Sequence, residues 1–270
     1  MKKLVALLSL FALIGILAAC GNDADSSNAE GIEKIKIAAA SVPHAEVLEH
    51  LADDIKADGV ELEISIVSDG IQANQLVAEG ELDANFFQHV PYLNSVNEEA
   101  GLDLVEVVGV HIEPFGVYSK KITSIDDLPQ NAVVAIPNNP TNLSRSLILL
   151  AENGIIELEE NPGSDYGVDH ITKNEKNIEF KAVDAALLNR TLEDVDAAAI
   201  NTNYALEGGL DPTKDALIRE DADSPYVNIL VSNPEDKDSE AIQTIAKWLT
   251  SEKARAFYEE NYAGAVVPAF

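Results

Sequence analysis

The sequence predicts an α/β fold built as two lobes, in which parallel-rich sheets are flanked by helices and a ligand cleft lies between the lobes. Strand-like and helix-like segments alternate over residues 35–249, and such alternation is typical of parallel sheets covered by helices. Residues 80–84 are similar to residues 193–197. Aligning the two segments places Gln88 opposite Asn201, and each of these residues directly follows a predicted strand. Ligands bind open α/β sheets at the carboxyl ends of strands. Two such strand ends, one in each lobe, predict a ligand cleft between two similar lobes. A similarity over so few residues also arises by chance.

The first half of the chain alternates four strand-like segments with three helix-like ones. A helix opens at Pro43, carries apolar residues at helical spacing from Leu48 to Ile55, and ends at Gly59. The next segment alternates apolar with acidic residues, as a half-buried strand does. The predicted strands are 35–39, 60–67, 82–87 and 104–118, and further helices occupy 71–80 and the segment that begins at Pro91.

The second half of the chain continues the alternation. The predicted strands are 132–136, 178–183, 195–200 and 226–231, and the predicted helices are 141–153, 185–192 and an amphipathic segment around 242–249. We predict that residues 32–118 plus 226–270 form lobe 1 and that residues 119–225 form lobe 2. The chain then crosses between the lobes twice.

Residues 1–19 have the features of a signal peptide. Lys2 and Lys3 precede Leu4–Leu17, a run of 14 residues that is apolar except at Ser9 and Gly15. This run is shorter than the ~20 residues that a membrane-spanning helix needs. A positive start followed by a short apolar run is typical of an export signal that is removed from the mature protein.

Cys20 follows this run and is the only cysteine, which excludes an internal disulfide. Together with Leu17-Ala18-Ala19 it resembles the lipobox of bacterial lipoproteins. The resemblance implies that Cys20 is lipidated after cleavage before it, and two or more acyl chains would make the anchoring stable. The following residues are small and polar, so residues 20–31 are predicted to be the lipidated cysteine and a flexible tether.

The chain is strongly acidic. Its 47 acidic residues against 18 lysines and arginines give a net charge of −29. This balance argues against binding to nucleic acid, whose phosphates require a basic surface, and against electrostatic docking on anionic lipids. A strongly solvated surface explains the charge, and adaptation to a saline habitat is a second explanation that composition leaves open.

The sequence carries no enzyme or cofactor motif. It has no G-x-S-x-G elbow, G-x-G-x-x-G loop or P-loop, and its acidic residues are too many for one pair to stand out. The five histidines have no spacing that is typical of a metal site. We therefore predict a protein that is not an enzyme and that has no cofactor or metal. A zinc receptor with scattered ligands and a surface-anchored hydrolase remain as alternatives.

The strongest local motif, residues 137–147, joins a strand to a helix. Thr141 can cap this helix, whose first N–H groups then attract an anion. Asn142 and Arg145 are three residues apart and share a face of its first turn. Because a guanidinium grips a carboxylate with two nitrogens, the motif predicts a carboxylate site. The alternative is an ordinary surface salt bridge of Arg145.

In three further segments, side chains with polar groups follow or adjoin an apolar strand. Phe87, His89 and Tyr92 follow a strand and could line an apolar pocket, although Phe86 or Phe87 must face the core and His89 could serve as a helix cap. Asn201 and Asn228 each stand beside an apolar strand. An amide can accept from an ammonium group and donate to a carboxylate, but it is also common in turns and caps.

These segments, in this order, resemble the methionine-binding lipoproteins of the MetQ/NlpA family. The resemblance covers essentially residues 35–270, and the segments that carry it are residues 87–93, 113–116, 137–150, 224–228 and 264–266. It implies a type II-like periplasmic-binding-protein fold that closes on a free amino acid. The ligand contacts that it implies are Phe87, His89, Tyr92, Asn142, Arg145, Asn201 and Asn228.

The resemblance also implies a function. The protein would be a monomeric, lipid-anchored receptor on the outer face of the cytoplasmic membrane, which delivers methionine to the permease and ATPase subunits of an ABC importer. One departure concerns the ligand: Gly70 and Ala73 stand where the family usually has tyrosine and proline. The resemblance therefore leaves room for another amino acid or a methionine-containing dipeptide.

Overall fold

The computed structural model describes residues 31–68, 70–163 and 165–270, of which Glu33–Phe270 form one compact unit. The predicted signal peptide, Cys20 and all of the predicted tether except Gly31 lie outside the described residues. The strands are β1 (Glu33–Ala39), β2 (Val60–Ile66), β3 (Ala84–His89), β4 (Val105–Ile112), β5 (Gly116–Tyr118), β6 (Val133–Pro137), β7 (Glu157–Leu158), β8 (Ile171–Lys173), β9 (Glu179–Val183), β10 (Ala197–Ile200), β11 (Ala216–Arg219), β12 (Val227–Ser232) and β13 (Val267–Pro268). The α-helices are α1 (Glu46–Ala57), α2 (Gly70–Ala78), α3 (Val90–Ala100), α4 (Pro140–Glu152), α5 (Leu188–Thr191), α6 (Thr202–Glu207), α7 (Glu240–Leu249) and α8 (Glu252–Tyr262).

The strands form two main sheets. The first has six strands in the order β13-β4-β12-β3-β1-β2, and the second has five in the order β11-β5-β10-β6-β9. Three neighbouring strands at one end of each sheet are parallel, since β1 pairs with β2 and β3, and β6 pairs with β9 and β10. The other strands of these two sheets pair antiparallel, so the predicted parallel order holds only for these three strands of each sheet.

Helices cover both sheets with apolar faces. On the first sheet, Leu48 and Leu51 of α1 and Ile245 of α7 are fully buried against strand residues such as Ile37 and Phe86. On the second sheet, the apolar side of α4 packs against β6. The helical spacing of apolar residues thus places each helix on its sheet, because a helix buries residues three and four positions apart on one face.

The predicted strand 104–118 is broken in two. It ends at Ile112, and β5 pairs with β10 and β11 of the second sheet, although the prediction assigned these residues to lobe 1. Pro114 lies in the break and has no N–H to donate to a strand partner. The apolar run continues through this crossing between the sheets, so its hydrophobicity did not reveal the break.

The late strand β12 lies in the first sheet, between β3 and β4. The first sheet therefore contains residues from both ends of the unit, and the second sheet contains residues from its middle. Among the residues that the structure describes, the longest helix has 13 residues. None of the described helices is long and apolar enough to cross a membrane.

Candidate functional site

A pocket of about 370 Å³ lies where the parallel strands of both sheets end. Ala40, His89, Asn138 and Asn201 lie at or directly after the carboxyl ends of β1, β3, β6 and β10, and all four line the pocket. This is the expected position for a ligand in α/β sheets. All seven predicted contacts line the same pocket: Phe87, His89, Tyr92, Asn142, Arg145, Asn201 and Asn228.

His89 both caps a helix and reaches across the pocket. Its Nδ1 accepts a hydrogen bond from the backbone N–H of Tyr92 at 3.2 Å, which caps α3. Its Nε2 therefore carries the proton and donates to Oδ1 of Asn142 at 3.1 Å. Burial, with a smaller contribution from the charge of Arg145, lowers the pKa of His89 to about 3. His89 is thus a neutral donor that joins an end of the first sheet to α4.

Phe87 and Tyr92 form an aromatic wall beside Gly70. Their ring centroids are 6.1 Å apart in an edge-to-face arrangement, while Phe86 points the other way into the core. A Cβ atom added at Gly70 would lie 2.6 Å from Cε2 of Phe87 and 2.8 Å from the hydroxyl of Tyr92. The two rings therefore occupy the space that a side chain at position 70 would need.

The start of α4 differs in one detail from the prediction. The capping residue is Asn139, whose side chain accepts from the N–H of Asn142 at 2.9 Å, and Pro140 occupies the first turn. Thr141 donates to the same Asn139 oxygen instead of capping the helix. Asn139 has the extended backbone of a cap, which precedes the proline, so the helix begins one residue earlier than predicted.

Arg145 is buried and already holds a carboxylate. Nε and Nη2 donate to the two carboxylate oxygens of Glu220 at 2.7 and 2.5 Å, and Nη2 also donates to the backbone oxygen of Glu113 at 2.9 Å. The ring of Tyr226 lies 4.1 Å from the guanidinium carbon. The alternative of a surface salt bridge is wrong, because the side chain of Arg145 is buried and that of Glu220 is only 12% exposed. Among the hydrogen bonds of the described residues, none uses Nη1.

Three of the asparagine amides that line the pocket belong to the predicted contacts. Oδ1 of Asn142 accepts from Nδ2 of Asn201 at 3.1 Å in addition to its bond from His89. Oδ1 of Asn201 is buried and has no hydrogen-bond partner within the described part of the chain. Oδ1 of Asn228 lies 3.0 Å from Nε2 of His44, which orients this amide. An unpartnered buried acceptor is a group that a ligand donor can satisfy.

Behind Asn228 lies a buried polar cluster that the sequence did not predict. Oε1 of Glu113 is 2.9 Å from Nε2 of His111 and 3.4 Å from Nε2 of His44, and Tyr258 contacts Nδ1 of His111. Burial lowers the pKa of His44 to about 4 and that of His111 to about 3, and it raises the pKa of Glu113. Two neutral imidazoles thus face one buried carboxyl group.

His44, His111 and Glu113 also have side-chain types that bind metals, and their atoms lie within 4.8 Å of one another. Hydrogen bonds account for these contacts, because each imidazole Nε2 has an oxygen partner at 2.9 or 3.0 Å. His44 and His111 are 67 residues apart in the sequence, and this spacing is not typical of a metal site. Glu113 lies in a segment that carried the family resemblance, but no role was predicted for it, and no local pattern distinguished Glu220 from the other acidic residues.

Comparisons with known proteins agree with this site. The family model of NlpA lipoproteins matches residues 35–270. The methionine-binding lipoprotein MetQ of Bacillus subtilis is 38% identical over 275 residues, covering 99% of both chains. A nutrient-binding protein of Burkholderia cenocepacia, solved bound to methionine, is 39% identical with a TM-score of 0.85 over 87% of this chain and 100% of its own.

A periplasmic substrate-binding protein of an ABC transporter from Coxiella burnetii is 33% identical, with a TM-score of 0.83 over 87% of this chain and 100% of its own. The predicted two-lobed α/β fold of the periplasmic-binding-protein type is confirmed by these solved relatives. With a family model that spans nearly all of the described residues and relatives that match end to end, the chain belongs to the NlpA lipoprotein family.

Proposed function

We propose that this chain is the solute receptor of an ABC importer and that it binds methionine as a free amino acid. The observation that carries the proposal is the convergence of seven side chains, from segments 141 positions apart in the sequence, on one pocket between the two sheets. Relatives with 38% and 39% identity are named for binding methionine or were solved with it. The lobes that we propose follow the two sheets.

The pocket has groups suited to each part of the ligand. Nη1 of Arg145 would hold the carboxylate, and the start of α4 would favour it, since a cation and the positive end of a helix dipole both attract an anion. Asn201 and Asn228 would help to hold the ammonium and carboxylate groups. Phe87, His89 and Tyr92 would enclose the thioether, where contact between sulfur and an aromatic ring contributes about 0.3–1.5 kcal/mol.

The ligand we propose is methionine itself and not a larger analogue. The absence of a side chain at Gly70 would enlarge the pocket only if no other group occupied the space of that side chain. The rings of Phe87 and Tyr92 fill that space instead, with atoms 2.6 and 2.8 Å from where a Cβ would lie. This packing disfavours the alternative of a methionine-containing dipeptide.

The mature protein would be held at the outer face of the cytoplasmic membrane. Cleavage after residue 19 and lipidation of Cys20 would supply the anchor, and Gly21–Gly31 would give a root-mean-square reach of about 18 Å. As a monomer, the receptor would close on its ligand and deliver it to the permease. The ATPase subunits would supply the energy, so we assign this chain no catalytic step.

The test is a thermal-shift panel on protein that has been unfolded, stripped of ligand and refolded. The panel contains the twenty amino acids, both methionine enantiomers, several methionine-containing dipeptides and Zn²⁺. We expect methionine to raise the melting temperature most, because a ligand that binds only the folded state stabilises it. Stabilisation by another compound, without any by methionine, would refute the proposed specificity.

A further inference from the structure

We propose that Glu113 is the counter-ion of the ligand's ammonium group, an assignment that rests on the amino-acid-binding function proposed above. Glu113 follows β4 and lines the pocket, with its side chain 6% exposed. Arg145 donates to the backbone oxygen of the same residue at 2.9 Å. A buried carboxylate and the guanidinium therefore lie next to each other, as the two charged groups of an amino acid require.

The charges around Glu113 leave room for a cation. Arg145 pairs with both carboxylate oxygens of Glu220, so these two charges offset each other. His44 and His111 contact Oε1 of Glu113, but burial keeps the pKa of each imidazole far below neutrality. Neither imidazole therefore supplies a positive charge: Nε2 of His111 donates a hydrogen bond to Glu113, and Nε2 of His44 donates to Asn228. Within the described part of the chain, the Glu113 carboxylate forms no salt bridge with a lysine or arginine, and the nearby charge of Arg145 offsets only part of the effect of burial on its pKa.

An uncompensated carboxylate in this position is costly. A buried charge is stabilised only when it is paired and hydrogen-bonded, and burial accordingly raises the pKa of Glu113. The ammonium of a bound amino acid would supply the missing charge. The ligand's ammonium would then pair with Glu113, and its carboxylate would meet the remaining nitrogen of Arg145, Nη1.

The geometry orients Glu113 for this contact. The backbone N–H of Asn203 donates to Oε2 at 2.9 Å, while His111 contacts Oε1 at 2.9 Å, so both carboxylate oxygens are held in place. Two residues before Asn203, the buried Oδ1 of Asn201 has no partner among the described residues. An ammonium group has three N–H donors and can satisfy Glu113 and Asn201 together.

The experiment compares methionine with 4-(methylthio)butanoate, which keeps the thioether and the carboxylate but lacks the amino group. Calorimetry on wild-type protein should give a preference for methionine of about 30-fold or more, as expected when one partner of a buried charge pair is removed. Glu113→Gln should lose most of that preference by binding methionine more weakly. Asp184→Asn is the matched control, because its carboxylate is exposed at the pocket rim and caps Ala186. It should keep the preference.

Two results would overturn the assignment: equal affinity of wild-type protein for the two compounds, or a wild-type preference in folded Glu113→Gln. The first needs no variant, so it decides even if Glu113→Gln does not fold. Glu113→Asp, which keeps the charge, should retain part of the preference. Failure of wild-type protein to bind any amino acid would instead refute the proposed function, so the two failures are distinguishable.

Discussion

Arg145 and Glu220 form a largely buried two-point ion pair, with Nε and Nη2 donating to the two carboxylate oxygens at 2.7 and 2.5 Å. Glu220 is held in turn by the N–H of Phe115 and the hydroxyl of Ser224 at 3.1 Å each. The guanidinium is thereby fixed in orientation before any ligand arrives. Its remaining nitrogen, Nη1, is the one that we expect a ligand carboxylate to meet.

Replacement of Arg145 should abolish methionine binding. Loss of a buried charged partner costs about 2–5 kcal/mol, which is about 30-fold to several-thousand-fold in affinity. Arg145→Ala also leaves the largely buried Glu220 without its charged partner, which destabilises the fold. The double variant Arg145→Ala/Glu220→Ala should therefore recover thermal stability but not binding. Wild-type affinity of the folded double variant in calorimetry would contradict a carboxylate site at Arg145.

A side chain at position 70 should disturb the aromatic wall. Gly70→Ala places a methyl group within 3 Å of both Phe87 and Tyr92, so at least one ring must move. Overpacking of this kind costs about 1–3 kcal/mol, and we expect methionine affinity to fall by about tenfold. Phe87→Leu in the same chain should restore part of the affinity by making room. Unchanged calorimetric affinity in Gly70→Ala would mean that the rings do not form the ligand wall.

Stability should fall as the solution becomes more acidic. The folded-state pKa values of His44, His89 and His111 are lowered to about 4, 3 and 3, whereas an unfolded histidine titrates near 6.5. The unfolded chain therefore binds more protons below pH 6.5, and stability declines from there towards the folded pKa values. Each histidine contributes about 1.4 kcal/mol per pH unit. Glu113, whose pKa is raised, opposes part of this loss.

Urea unfolding between pH 7 and pH 5 measures this slope. His111→Gln should reduce the slope by about one histidine's contribution, because the variant removes one group that must stay neutral in the fold. His50→Gln is the control at an exposed position. Equal slopes for wild-type protein and His111→Gln would rule out a linkage through the buried cluster.

Membrane attachment should depend on Cys20, which lies outside the described residues. Cys20→Ser removes the thiol that would carry the lipid, so we expect uncleaved precursor or released soluble protein. Detergent-phase partitioning of cell extracts, with wild-type protein alongside, measures the difference. If the serine variant partitions into the detergent phase as wild-type protein does, the anchor is not at this cysteine.

Local chemistry in the sequence determined the elements that surround the site. The alternation of strand and helix signals, Pro140 at a helix start and the polar residues after β3, β6 and β10 all depend on near neighbours in the chain. Because parallel strands end at one edge of a sheet, residues after those strands had to converge. Residues that this local chemistry singled out agree with the seven pocket residues that the family resemblance implied.

Only the tertiary structure decided which charges pair. Glu220 is 75 positions from Arg145, and His44 is 184 positions from Asn228, so no local pattern connects them. Forty-seven acidic residues look alike in the sequence, and burial separates Glu113 and Glu220 from the solvated majority. Whether position 70 is an opening or a packed wall likewise depended on where the rings of Phe87 and Tyr92 lie. Desolvation and packing act between residues that are distant in the chain, and they determine which side chains of the pocket are charged and which charges are paired.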